Sequence, residues 1–212
     1  MTIEERSPIR ARRPAPRQAP AAIPAPAPIT LPLRSFREQY RESEKLGLTE
    51  TLLGAERYRS ILEIGCETGE LASRLVGRCT RYTGLDEEPA SLASARRAVR
   101  AGRFLPFVLR PDEPFRLPSG EHELIVLSEI LHRLDAARLA RLIPALDAHL
   151  ACREIVVVSP LHPSEAGGKP TGEALDGPVG ELAARIGRLR MQTLAVRGHY
   201  RIDALLAPEG QE

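Results

Sequence analysis

Acidic residues and glycines stand at a regular spacing in the segment ILEIGCETGELASRL, residues 61–75. Glu63 ends a hydrophobic run, Gly65 follows, and Gly69 opens a helical pattern. Glycine at such a turn lets the backbone approach a ligand closely and adopt dihedral angles that other residues avoid. A second acid, Asp86, ends the next apolar run, about 20 residues further on, where a carboxylate can accept both hydroxyls of a ribose. The spacing therefore indicates a ligand that contains a nucleoside.

Two kinds of cofactor compete for this geometry. A dinucleotide fingerprint has glycine at the positions that Glu67 and Glu70 occupy here, and two carboxylates would repel a pyrophosphate. S-adenosylmethionine instead carries a cationic sulfonium and an ammonium, which are compatible with acids nearby. We therefore predict S-adenosylmethionine as the cofactor and disfavour a nicotinamide oxidoreductase. The residues of this segment predicted to bind it are Glu63, Gly65, Cys66, Glu67 and Gly69.

Other predicted cofactor contacts follow later strands. Besides Asp86, we expect Asp112, in RPDEP after the third strand, to accept from an adenine amino group. The alternative for Asp112 is an ordinary acid in a proline-rich turn. Ser128, at the end of the fourth strand, completes the predicted cofactor set.

Candidate proton acceptors follow the fourth and fifth strands. Glu129 and His132 come after the fourth, and His162 comes after the fifth. Histidine titrates near neutral pH, which suits removal of a proton from an amine. The alternative for His132 is a solvent-facing position just before a helix, and His199 is expected to belong to hairpin structure. No metal site is indicated, because the three cysteines lack any metal-binding spacing.

Apolar runs and helical patterns alternate along the chain. Strands are predicted over 60–64, 81–85, 103–109, 123–128, 154–159, 190–196 and 200–206. Helices are predicted over 36–53, 70–76, 89–100 and 135–150, the last kinked or broken near Pro144. The Gly- and Pro-rich stretch 160–178 is expected to be a loop, either a lid over the acceptor pocket or a disordered insert.

This alternation predicts the fold class. Continuous apolar strands separated by helices indicate a parallel sheet that is covered on both faces. The last two strands are separated by only Arg197, Gly198 and His199, which indicates a hairpin. We therefore predict an α/β, Rossmann-like, doubly wound and mostly parallel seven-stranded sheet with a C-terminal antiparallel hairpin. Such folds bind cofactors at the carboxyl ends of their strands.

The first 34 residues differ in composition from the body at 35–212. Eight of the 19 prolines lie there among Ala and Arg, which predicts a disordered or polyproline-like tail. The tail is expected to keep the protein in solution, and the alternative is an arm that binds a protein partner weakly. Residues 1–30 carry five Arg and two Glu, so the remaining chain has a formal net charge of −1 within a total of +2. A near-neutral body argues against nucleic acid as a partner. No membrane span or signal peptide is indicated, and the few unpaired cysteines favour a cytoplasmic location.

The same residues carry a resemblance to a known family. The chain resembles the NodS-like family of class I S-adenosylmethionine-dependent methyltransferases from about Phe36 to Leu206. The resembling segments are YRSILEIGCETGELASRL, LDEEPASLASARR, ELIVLSEILHRL and HYRIDAL. The first two are general to class I methyltransferases, whereas the last two suggest the narrower family. Glu67 departs from the glycine that is common in the class.

The resemblance implies an S-adenosylmethionine-dependent methyltransferase with Glu129 at the acceptor site. The acceptor is expected to be a small molecule with an amine or hydroxyl, for example an amino sugar or another natural-product intermediate. The family's tryptophan-containing segments have no counterpart, because the chain contains no Trp. The alternative function is a non-catalytic cofactor-binding scaffold of the same fold.

Overall fold

The computed structural model describes residues 35–109, 115–149, 153–161, 172–187 and 189–207. Four predictions fall outside these ranges in whole or in part: the tail at 1–34, the site residues Asp112 and His162, and residues 162–171 of the predicted loop. They remain predictions.

One seven-stranded sheet forms the centre of the domain. Its strands are β1 (Tyr58–Ile64), β2 (Cys79–Asp86), β3 (Arg103–Pro106), β4 (Leu124–Ser128), β5 (Glu154–Pro160), β6 (Arg190–Val196) and β7 (Tyr200–Leu206). The strand order is β3-β2-β1-β4-β5-β7-β6. The first five strands pair in parallel, while β7 is antiparallel to both β5 and β6. The predicted fold class, including the C-terminal hairpin, is confirmed.

Five helices connect and cover these strands in the described part of the chain. They are α1 (Phe36–Thr51), α2 (Glu70–Leu75), α3 (Pro89–Ala98), α4 (Ala136–Asp147) and α5 (Gly172–Arg185). A capping box fixes the start of α1, since the Ser35 hydroxyl accepts from the backbone N–H of Glu38 and the Glu38 carboxylate accepts from the N–H of Ser35. Pro89 begins α3, where its missing N–H leaves no partner unsatisfied. None of the described helices is long and apolar enough to cross a membrane.

Two apolar clusters lie on the two faces of the sheet. Alternate strand residues divide between them, because successive side chains of a strand point to opposite faces. One cluster holds Leu62 and Ile64 with residues of α4 and α5, and the other holds Ile61 with residues of α1, α2 and α3. Both faces are therefore buried, and the functional groups are confined to the strand ends.

One expectation about elements was wrong in part. Within the predicted loop, residues from Gly172 onward form α5, because Val179 and Leu182 lie three residues apart on one buried helical face. That burial outweighs the low helix propensity of the surrounding Gly and Pro. Helix α4 continues past Pro144 to Asp147, so it is not broken there, and the predicted kink stays a prediction.

Candidate cofactor and acceptor site

The turn between β1 and α2 requires its glycines. Gly65 and Gly69 have φ values of 88° and 86°, in the left-handed region that glycine tolerates best. A Cβ atom on Gly65 would lie 2.2 Å from the carbonyl oxygen of Ser128 and 2.6 Å from Cγ2 of Ile130. The turn is therefore pressed against the end of β4, which joins two of the predicted ligand-binding segments.

Glu67 occupies a position that suits glycine. Its φ is 43°, which is unusual for a residue with a side chain. Its backbone N–H donates to Oδ2 of Asp86 at 2.8 Å, and its side chain is exposed. The departure from the common glycine is thus a strained backbone that holds Asp86 in place.

Asp86 lies at the carboxyl end of β2 and is largely buried. Its Oδ1 accepts from the N–H of Glu88 at 2.8 Å, so each carboxylate oxygen has one backbone donor. A carboxylate oxygen has about two acceptor positions, so one remains on each oxygen. The side chain borders a cavity of about 130 Å³, together with Gly65, Phe107 and Ile130. Asp86 is therefore a rigid, bidentate acceptor beside an open space.

Glu63 lies almost fully buried at the end of β1 and accepts a hydrogen bond from the Tyr82 hydroxyl. Burial raises its pKa to about 8, with Glu67 and Asp86 adding to the rise while Tyr82 and Lys45 oppose it. Glu63 thus holds a proton in the folded protein at neutral pH. It borders a smaller pocket near α1, as a hydrogen-bonded group and not as an exposed carboxylate.

Cys66 contributes to the turn through its backbone. Its N–H donates to the carbonyl of Leu85 at 3.0 Å. Its Sγ lies 2.9 Å from where a Cβ on Gly84 would stand, and burial raises the pKa of the thiol. The side chain is therefore packed into the core, in the neutral thiol form.

A second, smaller pocket lies where α1 meets the ends of β1 and β4. Ser128 and Glu129 border it, and Glu129 has a φ of 53°. The Glu129 carboxylate contacts Nζ of Lys45 on α1, which also contacts Glu42 at 2.8 Å. The structure thus brings predicted acceptor and cofactor residues together, and it adds a cation that the sequence did not indicate.

His132 follows Glu129 in a short 3₁₀ turn, Leu131–Arg133, and its side chain is exposed. Partial desolvation lowers its pKa, and Arg133 acts in the same direction while Glu129 opposes it. His132 is therefore neutral at pH 7, as a proton acceptor must be.

Sequence reasoning missed several polar groups at this edge. Lys45 and Tyr82 sit within a helical pattern and a strand that otherwise look structural. At the end of β5 and the start of β7, three side-chain atoms have no hydrogen-bond partner among the described residues: Oγ of Ser159, Nε2 of His199 and the Tyr200 hydroxyl. Tyr200 pairs with Pro160 at the carboxyl end of β5. Buried polar atoms without partners are uncommon, and Nε2 of His122 at the amino end of the sheet is another among the described residues.

This set of groups fits the predicted cofactor. Asp86 offers paired acceptors for a vicinal diol, the glycine turn permits close backbone approach, and the carboxylates of the smaller pocket suit a cationic ligand. Among the described residues, no three His, Cys, Asp or Glu side chains come together as a metal site.

Comparison with known proteins agrees with this geometry. A family model for a methyltransferase domain matches residues 62–153, from β1 to the start of β5. The methyltransferase domain of bacterial CtHen1 aligns with a TM-score of 0.64 at 16% identity, covering 78% of this chain and 98% of that one. The chain has the fold of a class I S-adenosylmethionine-dependent methyltransferase. S-adenosylmethionine is the cofactor that these matches support.

Two further structures extend the comparison with this methyltransferase fold. A protein from Pseudomonas syringae assigned to the methyltransferases is 28% identical, with a TM-score of 0.59 and coverage of 79% of this chain and 99% of that one. The N-methyltransferase NodS from Bradyrhizobium japonicum WM9, in complex with S-adenosyl-L-homocysteine, is 16% identical, with a TM-score of 0.57 and coverage of 81% and 88%. At that identity the NodS likeness supports the fold alone, so the NodS-like family stays a prediction. No curated protein sequence matches the chain.

Proposed function

We propose that this protein transfers a methyl group from S-adenosylmethionine to a small molecule, at an amine or a hydroxyl. The observation that carries the proposal is Asp86. Two backbone N–H groups orient its carboxylate, and it keeps one acceptor position on each oxygen beside the glycine turn. A ribose with two adjacent hydroxyls matches that arrangement.

The cofactor supplies a methyl group that its positive sulfur already activates. The protein's main contribution is then alignment of the acceptor, which can lower a barrier by roughly 7–11 kcal/mol. The ends of β4 and β5 and the start of β7 follow the end of β1 in the sheet order and supply groups that can hold an acceptor. Ser159, His199 and Tyr200 offer hydrogen-bonding atoms there.

We assign proton removal to the end of β4. Glu129 and His132 are three residues apart, and the lowered pKa of His132 keeps its ring neutral at pH 7. An amine or hydroxyl acceptor loses a proton on methylation, and a neutral imidazole or a carboxylate can take it. His162 remains a further candidate from the sequence. Replacing His132 with Asn should lower kcat by roughly 10²-fold or more if it is the base, whereas an unchanged kcat would leave Glu129 or His162 in that role.

Calorimetry with S-adenosylmethionine, S-adenosylhomocysteine and NADH in parallel tests the proposal. We expect binding of the first two and none of NADH, followed by formation of S-adenosylhomocysteine with at least one member of a panel of amino sugars and small amines. Binding without turnover of any acceptor would favour the non-catalytic scaffold. Binding of NADH alone would overturn the cofactor assignment.

A further inference from the structure

Lys45 is a buried cation on the inner face of α1. Its residue exposure is only 8%, and its ammonium contacts both Glu42 and Glu129. Burial lowers the pKa of Lys45, but the two carboxylates together outweigh burial and raise the pKa above 10.5. Lys45 therefore carries its charge inside the site.

The pocket around Lys45 is strongly acidic. Five carboxyl groups border it, from Glu42, Glu63, Glu67, Glu70 and Glu129. Lys45 is the one cation among the described residues that line this pocket. An anionic group that enters here therefore has one partner of opposite charge among the described lining residues.

The pocket has little free space while the ion pair is closed. Its volume is about 20 Å³, close to the roughly 10–15 Å³ that a cavity needs to hold one water. Any larger group enters only when side chains here change position. The contact between Lys45 and Glu129 closes the pocket between α1 and the end of β4, so it is the contact that must open.

The amino-acid end of S-adenosylmethionine carries an ammonium and a carboxylate. The ammonium can pair with one of several carboxylates in this pocket, whereas Lys45 is the one side chain of opposite charge that the described lining offers to the cofactor's carboxylate. We propose that Lys45 binds the carboxylate of the cofactor and that its contact with Glu129 breaks when it does so. This inference rests on the proposed function, because it concerns the same cofactor.

The exchange has a consequence for Glu129. Its positive φ holds the residue in a conformation that costs about 1–3 kcal/mol in general, and such residues persist where the surroundings over-determine them. In the closed pocket Lys45 is the side-chain partner of its carboxylate. Once Lys45 moves to the cofactor, the Glu129 carboxylate is available to the acceptor, so cofactor binding prepares the acceptor side.

Two ligands that differ only in the amino-acid end test the inference. Calorimetry would compare S-adenosylhomocysteine with 5′-methylthioadenosine, which keeps the nucleoside and sulfur but lacks the amino-acid group. For Lys45→Met we expect the Kd of S-adenosylhomocysteine to rise at least about tenfold, the size expected for a lost charge-assisted hydrogen bond. The Kd of 5′-methylthioadenosine should stay within about twofold, and Lys45→Arg should recover part of the lost affinity.

Arg74→Met is the matched control. Arg74 pairs with Glu50 at 3.6 Å, and it does not line the pocket. We expect its effect on both ligands to be small. The double variant Lys45→Met/Glu129→Gln removes the charge left unpaired by the single change, and it should bind S-adenosylhomocysteine as weakly as Lys45→Met.

Three results would overturn the inference while leaving the cofactor assignment intact. These are unchanged or tighter binding of S-adenosylhomocysteine by Lys45→Met, an equal loss of 5′-methylthioadenosine binding, and an equal loss in Arg74→Met. If the unaltered protein bound neither ligand, the proposed function itself would fail and the inference with it.

Discussion

Buried carboxylates lie at both ends of the parallel strands, but the surroundings of these carboxylates differ between the two ends. At the amino end, Glu154 accepts from the Tyr58 hydroxyl at 2.7 Å and from the backbone N–H of Gly54 at 3.1 Å. Glu123 accepts from the backbone N–H and Nε of Arg59 at 2.7 and 2.9 Å, and the backbone bond leads the causes that lower its pKa. These carboxylates are satisfied by the protein alone.

At the carboxyl end, several glutamate side chains lie around a single lysine, Lys45. Glu63 has a raised pKa, and Glu67 and Glu129 have positive φ values. The described chain has no other non-glycine residue with a positive φ. Strained residues cluster where a structure serves a ligand. The comparison indicates that the carboxylates at the amino end stabilise the fold, whereas those at the carboxyl end form an acidic pocket at a cost in stability.

The largest effect should come from replacing Gly65 in the turn between β1 and α2. Gly65→Ala would place a Cβ 2.2 Å from the Ser128 carbonyl at a φ of 88°. Overpacking costs about 1–3 kcal/mol, and the left-handed conformation adds about 1–2 kcal/mol. We expect urea denaturation to give a large loss in the free energy of unfolding.

Gly198→Ala is the control for this substitution, because nothing lies within 4 Å of its added Cβ. Its stability should be close to that of the unaltered protein. Equal stability of the two variants would contradict the close contact between the turn and β4.

Substitution of Asp86 should weaken cofactor binding, whereas substitution of Glu154 should lower the stability of the fold. Hydrogen bonds to charged groups contribute about 1.5–3 kcal/mol, so Asp86→Ala should raise the Kd of S-adenosylhomocysteine by roughly 10- to 100-fold. Glu154→Gln should instead lower the free energy of unfolding and leave that Kd nearly unchanged. Calorimetry and urea denaturation on both variants would check this, and an unchanged Kd for Asp86→Ala would count against the ribose contact.

The sequence predicted the strand ends better than the side-chain environments. The order of apolar runs was enough to place Glu63, Asp86 and Ser128 at one edge of the sheet, because parallel strands share their carboxyl ends. It could not predict that Tyr82 would hydrogen-bond to Glu63, since that contact depends on the parallel register of β1 and β2. The contact between Lys45 and Glu129 spans 84 residues and depends on how α1 packs, which local patterns do not encode.

Helix α5 was missed for a related reason. Its local composition argues for a loop, and only burial of Val179 and Leu182 against the core favours a helix. The positive φ of Glu67 was detectable in principle, because it stands where related turns have glycine. Sequence reasoning treated that position as a question of charge and not of backbone conformation.

At the carboxyl end, the contribution of Glu63 to the free energy of unfolding should fall as pH rises. The pKa of Glu63 is raised from 4.5 to about 8, so the folded protein holds a proton that the unfolded chain releases. The contribution of Glu63 is complete below pH 4.5 and is lost as pH rises to about 8, with a slope of at most about 1.4 kcal/mol per pH unit. Glu63→Gln should therefore gain stability relative to the unaltered protein between pH 5 and 8. A constant difference in unfolding free energy across that range would show that the carboxyl group is not protonated in the fold.

The amino end should respond to pH in the opposite sense, with a smaller effect. His122 is buried, with Nδ1 3.0 Å from Oγ of Ser60 and its ring stacked on His149 at 5.6 Å. Burial lowers its pKa from 6.5. The neighbouring His149 and Arg81 lower the pKa further, whereas the backbone of Pro118 raises it. The folded protein keeps this ring neutral, so its contribution is complete above pH 6.5 and declines as pH falls below that value.

The measurement for His122 is urea denaturation between pH 5 and 7. His122→Gln should be less stable than the unaltered protein at pH 7, and the gap should narrow toward pH 5, because Gln takes up no proton on unfolding. A gap for His122→Gln that stays constant with pH would mean that its ring is equally protonated in the folded and unfolded states. In that case the stacked histidines would stabilise the amino end by packing alone, and the two ends of the sheet would no longer differ in the sign of their pH dependence.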